Sequence, residues 1–353
     1  MKIAIVASAR FPVCEPFAGG LEAHTWSLAS GLRTRGHQVT VFAAPGSDPR
    51  LEARALAVRF PKISPAARAD VSMSPSWWLE EHHAYLSLML ELADADLDLV
   101  HNNSLHYLPV AMAASLQTPV VTTLHTPPTP WLESAIQAPR RCPVTFAAVS
   151  EHTARAWRHL VPDAHVIRNG VDVDRWRQGP GGGPAVWSGR IVPEKGAHLA
   201  AEAAVRAGVP LRLAGPIMDA AYFDARVRPW LGGDAEYVGH LRTDELVAVV
   251  GAASASLVTP CWEEPYGLVV AESLACGTPV AGFARGALPE LVDDRHARLA
   301  APGDVAGLAV ALTQAVELDR DAIRRHAEAT CSVTAMIDGY EVLYGGLAAG
   351  QPA

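Results

Sequence analysis

The chain has 353 residues, of which half are apolar and 19% are charged, and its formal net charge is −8. At roughly 100–200 residues per domain, this length predicts two globular domains, and the composition excludes a disordered or fibrous chain. Residues 1–170 contain 14 acidic and 14 basic residues, and residues 171–353 contain 23 acidic and 15 basic residues. Because neither half has the basic surplus of a general nucleic-acid binder, we expect no nucleic-acid partner.

Cysteine usage and hydropathy indicate the compartment. The five cysteines are widely spread and form no C-x-x-C pair, which is typical of a reducing environment. The apolar segment after Lys2 is too short for a signal-peptide core, and no apolar run reaches the roughly 18 residues of a transmembrane helix. We therefore expect a cytoplasmic protein without an integral membrane segment.

Short β-branched segments alternate with helical-period segments over residues 1–170, as in βαβ units on a parallel sheet. The clearest helix is predicted over Leu21–Arg35, with Gly36 as its C-terminal cap. The pattern predicts a Rossmann-like first domain over these residues. Its predicted strands are Ile3–Val6, Val39–Phe42, Leu97–His101, Val120–Leu124, Thr145–Val149 and His165–Ile167.

The second predicted domain covers residues 171–334, and its Gly/Pro-rich stretch 179–184 is expected to be an exposed loop. Helices are predicted at Leu199–Ala207 and Asp244–Ala252. The fold class is therefore α/β, with two tandem doubly wound domains facing a cleft and functional residues just after the strands. The predicted strands are Ala185–Ser188, Leu211–Ala214, Glu236–Val238, Ser256–Thr259 and Pro279–Phe283.

The loop after the first strand carries no dinucleotide or P-loop motif, since neither G-x-G-x-x-G nor G-x-x-x-x-G-K-[ST] opens a helix there. A long loop, 10–18, ends instead at Gly19-Gly20 before the first helix. Glycines at this place let backbone N–H groups and the positive end of the helix approach an anion. A simple turn is the alternative interpretation.

The first strand of the second domain is followed by two cations, Arg190 and Lys195, in the segment Gly189 to Gly196. Lys195 is one of only three lysines in the chain. A guanidinium binds two phosphate oxygens as a fork and an ammonium adds a point charge, so the pair can neutralise a leaving diphosphate. A solvated surface turn is the alternative.

Two carboxylates, Glu264 and Glu272, are separated by seven residues around the Pro265-Tyr266-Gly267 turn. Glu264 is expected in the loop at a strand end, and Glu272 one to two turns into the next helix. The N–H groups of residues 267–269 would then point from the helix N-terminus toward an anion, and the carboxylates would bind sugar hydroxyls. Because a buried carboxylate is costly unless paired, Glu272 in its apolar stretch indicates a ligand site.

In this order the motifs closely resemble the retaining glycosyltransferases of family 4, which have the two-domain GT-B fold and an E-x7-E signature, and the resemblance covers nearly the whole chain. It also includes the loop Leu124 to Pro127 with its histidine, and Asn169-Gly170-Val171-Asp172 between the domains. One departure is Arg285-Gly286-Ala287, where the family usually has Gly-Gly.

The resemblance implies a metal-independent, cofactor-free transfer of a hexose from a UDP- or GDP-linked donor to an acceptor hydroxyl, with retention of configuration by a front-face route. His125, Glu264, Arg190 and Lys195 are the implied catalytic residues, and Glu264 orients the sugar rather than acting as a nucleophile. A GT-B sugar-nucleotide epimerase and a non-catalytic sugar-nucleotide sensor remain alternatives. The implied donor-binding residues are Gly19, Gly20, Gly189, Arg190, Lys195, Leu241, Glu264, Gly267, Leu268, Val269 and Glu272.

The acceptor is left open among a small molecule, a glycan and a lipid. Trp77 and Trp78, in a stretch interpreted as polar and loop-rich, are candidates for stacking on an acceptor, with a packed core corner as the default. His82 and His83 lack metal-ligand spacing and are expected on a solvated helix face.

Peripheral membrane contact is also open, because Arg50, Arg54, Arg59, Lys62 and Arg68 cluster loosely in the sequence of the first domain. The net charge of zero in that domain argues against firm docking on a membrane.

The last segment has a helical period over Ala335–Leu347 and, by the resemblance, residues 335–353 cross back onto the first domain.

Overall fold

The computed structural model describes residues 1–56, 62–72, 75–139 and 142–348. Within these ranges the chain forms two parallel sheets, with strand orders β3-β2-β1-β4-β5-β6-β7 and β10-β9-β8-β11-β12-β13. The predicted fold class, two tandem doubly wound α/β domains, is confirmed. The strands are β1 Lys2–Val6, β2 Gln38–Ala43, β3 Arg54–Ala55, β4 Leu99–Asn102, β5 Val120–Leu124, β6 Val144–Ala148, β7 His165–Val166, β8 Ala185–Ser188, β9 Leu211–Ala214, β10 Ala235–Gly239, β11 Ser256–Val258, β12 Val280–Phe283 and β13 Ala297–Ala300.

Helices cover both faces of each sheet and connect its strands. A 3-10 turn, Pro193–Lys195, follows β8 and precedes the first long helix of the second domain. The α-helices are α1 Gly20–Thr34, α2 Pro65–Arg68, α3 Ser76–Ala93, α4 Leu108–Ala111, α5 Pro130–Gln137, α6 Glu151–Trp157, α7 Ala197–Ala207, α8 Ala220–Tyr222, α9 Thr243–Ala252, α10 Leu268–Ala275, α11 Leu288–Leu291, α12 Val305–Ala315, α13 Arg320–Thr330 and α14 Val333–Ala348.

Each of the eleven strands predicted from the sequence is present, with ends that differ by at most two residues. The prediction omitted two strands, β3 and β13. Both residues of β3 are exposed, and β13 has the sequence Ala-Arg-Leu-Ala, which lacks the β-branched residues typical of strands. Their positions at sheet edges are set by pairing with β2 and β12 rather than by local propensity.

The first domain has apolar layers on both faces of its sheet. On one face, Ile3 and Ile5 of β1 pack with Leu28 of α1 and with Tyr340 and Tyr344 of α14, all fully buried. The C-terminal helix therefore lies in the core of the first domain, although it follows the second domain in the chain. Residues 349–353 of the predicted C-terminal segment lie outside the described residues.

Two chain crossings connect the domains and run side by side. The Val171 N–H donates to the Cys331 carbonyl at 2.8 Å, and the Val333 N–H donates to the Val171 carbonyl at 3.0 Å. A Cβ on Gly170 would lie 2.5 Å from the Ser332 carbonyl oxygen, so only glycine allows this approach. The crossings form a short two-stranded connection beside the cleft.

The glycine-rich stretch 179–184 is more tightly packed than the sequence suggested. The Gly181 N–H donates to Gly251 O at 3.0 Å, and the Gly183 N–H donates to Ala252 O at 2.9 Å. A Cβ on Gly179 would lie 2.4 Å from the Gly251 backbone. The prediction of an exposed loop holds, since Pro180 and Gly182 are exposed, but its glycines also permit close backbone packing against the end of α9.

Candidate active site

The cleft between the domains contains two adjoining cavities at the carboxyl ends of the strands. The larger, of about 1140 Å³, lies mainly against the second domain. The smaller, of about 890 Å³, reaches the first domain and includes His125. The larger cavity is lined by all of the donor-binding residues expected from the sequence: Gly19, Gly20, Gly189, Arg190, Lys195, Leu241, Glu264, Gly267, Leu268, Val269 and Glu272.

Lys195 and Glu264 form a direct ion pair between the two cavities. The distance from Lys195 Nζ to Glu264 Oε2 is 2.5 Å, and both side chains are largely shielded from solvent. The Trp262 indole N–H donates to the same oxygen at 2.9 Å, and the ammonium lies 5.2 Å from the Trp262 ring centroid. Glu264 is therefore oriented by a cation and an indole before any ligand binds.

Arg190 lies at the border of both cavities, and its side chain has no ion-pair or hydrogen-bond partner among the described residues. Its Cδ would be 3.7 Å from a Cβ placed on Gly19. Glu22, from the first turn of α1, also lines the smaller cavity, and burial raises its pKa although Arg190 opposes the shift. An unpaired guanidinium beside a glycine loop can bind an anionic ligand.

The N-terminus of α10 opens into the larger cavity. Gly267 caps the helix with φ +91°, in the left-handed region that favours glycine. Gly20 of the first domain faces this helix, since a Cβ on Gly20 would lie 3.6 Å from Leu268 Cβ, an ordinary contact distance. The unpaired N–H groups of this first turn add positive potential next to Arg190 and Lys195.

Glu272 is half-buried in the wall of the larger cavity, and its carboxyl has no hydrogen-bond partner among the described residues. Desolvation raises the pKa of Glu272 to about 8. The carboxyl is thus protonated at neutral pH in the ligand-free protein. A ligand with hydroxyl groups would supply the missing hydrogen bonds.

We expect the substitution Glu272→Gln to stabilise the ligand-free protein in a pH-dependent way. Below pH 4.5, the ordinary pKa of a glutamate, the carboxyl is neutral in both the folded and the unfolded state, and the variant gains nothing. Between pH 4.5 and about 8 the unfolded state ionises while the folded state keeps its proton, so the wild type loses stability as pH rises. Measured from pH 4 to 9, the difference in Tm between the variant and the wild type should therefore grow with pH and then level off. The same gain in a Glu236→Gln control, at the exposed edge of the second sheet, would contradict this account.

His125 follows β5 and lines the smaller cavity. Its Nε2–H donates to Asn103 Oδ1 at 2.8 Å, which leaves Nδ1 as the acceptor atom of the ring. Burial, together with the neighbouring rings of His24 and His101, holds the pKa of His125 well below its usual range. At neutral pH this histidine is therefore an uncharged hydrogen-bonding group.

A buried polar network connects the layer beneath His125 to the C-terminal helix. His101 bonds to Tyr344 Oη at 2.5 Å and to Thr123 Oγ1 at 2.7 Å, and Thr123 also contacts Tyr340 Oη at 3.0 Å. The His24 ring lies 4.9 Å from the His125 ring in an edge-on arrangement. Helix α14 thus contributes two tyrosine hydroxyls to the buried network beneath His125.

The turn between the two glutamates is bonded to the first domain. The Tyr266 hydroxyl donates to the Asn169 carbonyl at 2.6 Å, and the Ser150 hydroxyl donates to the Pro265 carbonyl at 2.6 Å. Tyr266 is 2% exposed. The loop that carries Glu264 is therefore positioned by both domains.

The departure at 285–287 has a structural explanation. Gly286 has φ +63°, and a Cβ there would lie 2.3 Å from the Glu264 carbonyl oxygen. Ala287 has φ −82°, an ordinary conformation, and its N–H donates to Glu264 O at 2.9 Å. Only the first of the two positions requires glycine, so alanine fits the second.

The loop 10–18 crosses the cleft and contacts the second domain. Glu15, which is 5% exposed at its side chain, pairs with Arg175 at 2.5 Å and lies 3.9 Å from Arg242. Burial opposes ionisation, but Arg175, Thr243 and Arg242 together lower the pKa of Glu15. The His240 ring also donates to the Phe17 carbonyl at 2.9 Å. These contacts hold the loop over the larger cavity.

The tryptophan pair lies at the start of α3, and not in the loop-rich stretch expected from the sequence. Trp77 is 63% exposed, whereas Trp78 stacks on His82 with ring centroids 5.0 Å apart. The prediction of a solvated face was wrong for His82, which is half-buried and lies 6.0 Å from the Tyr107 ring. Its surroundings come from α4 and the loop before it, which the local sequence does not show.

The basic residues considered for membrane contact do not form a free cluster. Arg50 pairs with Asp48 at 2.6 Å, and Arg54 pairs with Glu91 at 2.6 Å. Arg59 lies outside the described residues. No helix in the described part of the chain combines the length and hydropathy needed to cross a bilayer.

Sequence reasoning missed the roles of Trp262, Asn103 and Glu22. Trp262 had the best signal, because it stands two residues before Glu264 in the motif segment. Asn103 follows β4 just as His125 follows β5, and these positions after adjacent strands indicate that both residues lie at the same edge of the sheet. Glu22 is in the first turn after the glycine loop, but its proximity to Arg190 depends on the packing of the two domains.

Comparisons with known proteins agree with this architecture. The model of Glycosyltransferase Family 4 matches residues 18–175, and the model of Glycosyl transferases group 1 matches residues 184–317. Glycogen synthase of Mycobacterium tuberculosis is 28% identical over 363 aligned positions, covering 88% of this chain and 85% of that protein.

Solved structures with the same arrangement include AviGT4, a glycosyltransferase involved in avilamycin A biosynthesis. It is 25% identical with a TM-score of 0.72, over 99% of this chain and 98% of that one. The Anabaena protein HepE in complex with UDP-glucose is 19% identical, with a TM-score of 0.74 over 98% of this chain and all of that one.

The fold and the cleft define a glycosyltransferase enzyme with the GT-B architecture. Within that class, the chain belongs to glycosyltransferase family 4. The epimerase and sensor alternatives are not favoured by these matches.

Proposed function

We propose that the protein transfers a hexose from a UDP- or GDP-linked donor to an acceptor hydroxyl, without a metal ion and with retention of the anomeric configuration. The observation that carries this proposal is a single cavity lined by Arg190, Lys195, the N-terminus of α10 and the carboxyl of Glu272. These groups complement a diphosphate and a ribose in one ligand. The similarity to HepE, whose structure contains UDP-glucose, supports a nucleotide-sugar donor.

The positive groups of the cavity take the role that a metal cation has in other transferases. Arg190 and Lys195 bind the diphosphate and, with the first-turn amides of α10, stabilise the charge that develops on the leaving group. Glu272 accepts hydrogen bonds from the ribose hydroxyls after it loses its proton. We therefore expect full activity in the presence of EDTA.

The proposed transfer proceeds on one face of the sugar. The bond from the anomeric carbon to the β-phosphate oxygen breaks, the acceptor oxygen bonds to that carbon, and the leaving phosphate takes the hydroxyl proton. Glu264 is held by Lys195 and Trp262 and suits an orienting role rather than nucleophilic attack. Neutral His125 offers a hydrogen bond to the sugar from the adjoining cavity.

The test is thermal stability against UDP-, GDP- and ADP-linked hexoses, with EDTA throughout. A donor at about 100 times its Kd should add roughly 2.7 kcal/mol to the free energy of unfolding. With a UDP- or GDP-hexose identified, NMR of the product should show the donor's anomeric configuration. Stabilisation by none of these donors, or product with inverted configuration, would overturn the proposal, and release of an epimerised sugar nucleotide would identify the epimerase.

A further inference from the structure

Aromatic rings on the first domain form two stacked pairs joined by a hydrogen bond, built from residues far apart in sequence. Trp78 stacks on His82, and a hydrogen bond of 3.2 Å joins His82 Nδ1 to the Tyr107 hydroxyl. Tyr107 stacks in turn on Trp131, with ring centroids 5.6 Å apart and an interplanar angle of 25°. We call these four residues the aromatic platform.

The aromatic platform is anchored to the central sheet. The His106 ring stacks between Tyr107 at 4.9 Å and buried Tyr85 at 4.4 Å. The Tyr85 hydroxyl donates to the Ala7 carbonyl at 3.0 Å and accepts from the Ala9 N–H at 2.9 Å. The platform is therefore fixed to the end of β1 and its loop.

Sequence neighbours of the platform and of its anchor line the smaller cavity of the cleft. Ser8, which lies between the two residues that hold Tyr85, lines that cavity, as does Leu105, the neighbour of His106. Arg10, also in the cavity wall, contacts Glu81 of α3 at 3.7 Å. The aromatic platform is therefore adjacent to the wall of this cavity rather than part of it.

The platform presents aromatic rings with polar edges. Trp131 is 59% exposed, so its ring is open to a ligand. Burial, with smaller contributions from His82 and Arg10, lowers the pKa of His106 beneath it to about 4. Aromatic faces attract the C–H groups of a pyranose, and the hydroxyl and ring-nitrogen edges match its hydroxyl groups.

The surrounding charges argue against an anionic ligand. Helices α3 and α5, which carry Trp78, His82 and Trp131, contain three and one glutamates and no Lys or Arg. Phosphate groups and anionic lipid surfaces are attracted by clusters of Lys and Arg, which these helices lack. The charge pattern fits a neutral ligand.

We propose that the aromatic platform is an acceptor subsite that stacks on a neutral pyranose ring, so that the acceptor is an uncharged glycoside or oligosaccharide. This inference rests on the proposed transferase function and specifies its second substrate. It assigns Trp131 the central contact and leaves Trp77 outside the subsite.

The test uses two exposed tryptophans as a matched pair. Binding of maltotriose, mannotriose and glucose 1-phosphate, and of phosphatidylglycerol vesicles, is measured by saturation-transfer NMR. The proteins are the wild type, Trp131→Ala and Trp77→Ala, each saturated with whichever of UDP and GDP raises the Tm of the wild type. A neutral trisaccharide should bind the wild type, and its Kd should rise about tenfold in Trp131→Ala, as expected for one lost stacking contact. Trp77→Ala should match the wild type.

The outcomes separate this inference from the proposed function. The subsite is overturned if the wild type binds glucose 1-phosphate or the vesicles more tightly than the trisaccharides. It is also overturned if the wild type binds neither trisaccharide, or if the two variants bind the trisaccharides with equal affinity. The rise in Tm induced by that nucleotide should be the same in all three proteins, which shows that the variants fold and bind the nucleotide. Absence of a rise with both UDP and GDP in the wild type would count against the donor site and not against the platform, for which trisaccharide binding is the readout.

Discussion

Replacing Lys195 by alanine is expected to lower kcat/KM for transfer about 100- to 1000-fold, the range found when one preorganised charge-stabilising group is removed. The variant loses the ammonium proposed to stabilise the leaving diphosphate. It also leaves Glu264 without its 2.5 Å ion-pair partner, so the carboxylate keeps only the Trp262 hydrogen bond. Initial rates with the donor found by thermal stability measure the effect.

Lys2→Ala is the matched control for this substitution. Lys2 also pairs with a carboxylate, Asp96, but both side chains are well exposed, and such pairs contribute little. The control should retain wild-type activity. If Lys195→Ala kept more than about one tenth of wild-type kcat/KM, the lysine would not be the charge-stabilising group.

Replacing Gly286 by alanine is expected to damage both stability and catalysis. The new Cβ would lie 2.3 Å from the Glu264 carbonyl oxygen and 2.4 Å from its nitrogen, at a residue with φ +63°. Backbone strain and overpacking together should cost about 2–4 kcal/mol in free energy of unfolding. Displacement of the Glu264 loop should also lower kcat roughly 100-fold, because small misplacements of catalytic groups have effects of this size.

Ala287→Gly is the control, since it restores the glycine usual in the family. Ala287 has an ordinary backbone conformation, so the change removes one buried methyl group and adds chain entropy, at a cost of about 1–2 kcal/mol. Its kcat should stay near that of the wild type. Denaturant unfolding and initial rates measure both variants, and equal losses of kcat would show that the position of the glycine does not matter.

The sequence was most informative where one short segment carries several functional groups. Glu264, Gly267 and Glu272 lie within nine residues, so the turn and the helix that separate them fix their relation locally. Glycine positions were readable for the same reason, because the residue type itself reports a backbone requirement. The donor-binding residues expected from the sequence all lie on one cavity, although they come from several distant segments.

Predictions from the sequence failed where the surroundings of a side chain are formed by a distant segment of the chain. Trp78 and His82 were assigned to a loop and to a solvated face, yet they stack with Tyr107 from a loop 25 residues beyond His82. The short strands β3 and β13 were missed because their pairing, and not their composition, makes them strands. The tight packing of the loop 179–184 likewise depends on α9.

The sequence by itself determined the alternation of strands and helices, the two-domain organisation and the residue types at each strand end, because periodicity and turn chemistry act over a few residues. The tertiary structure decided which of those ends meet. It pairs Lys195 with Glu264 across 69 residues, bonds Tyr266 to Asn169 across 97 and returns α14 to the first domain. These contacts follow from sheet order and domain packing, which arise from the burial of many distant apolar groups at once and leave no local signal in the chain.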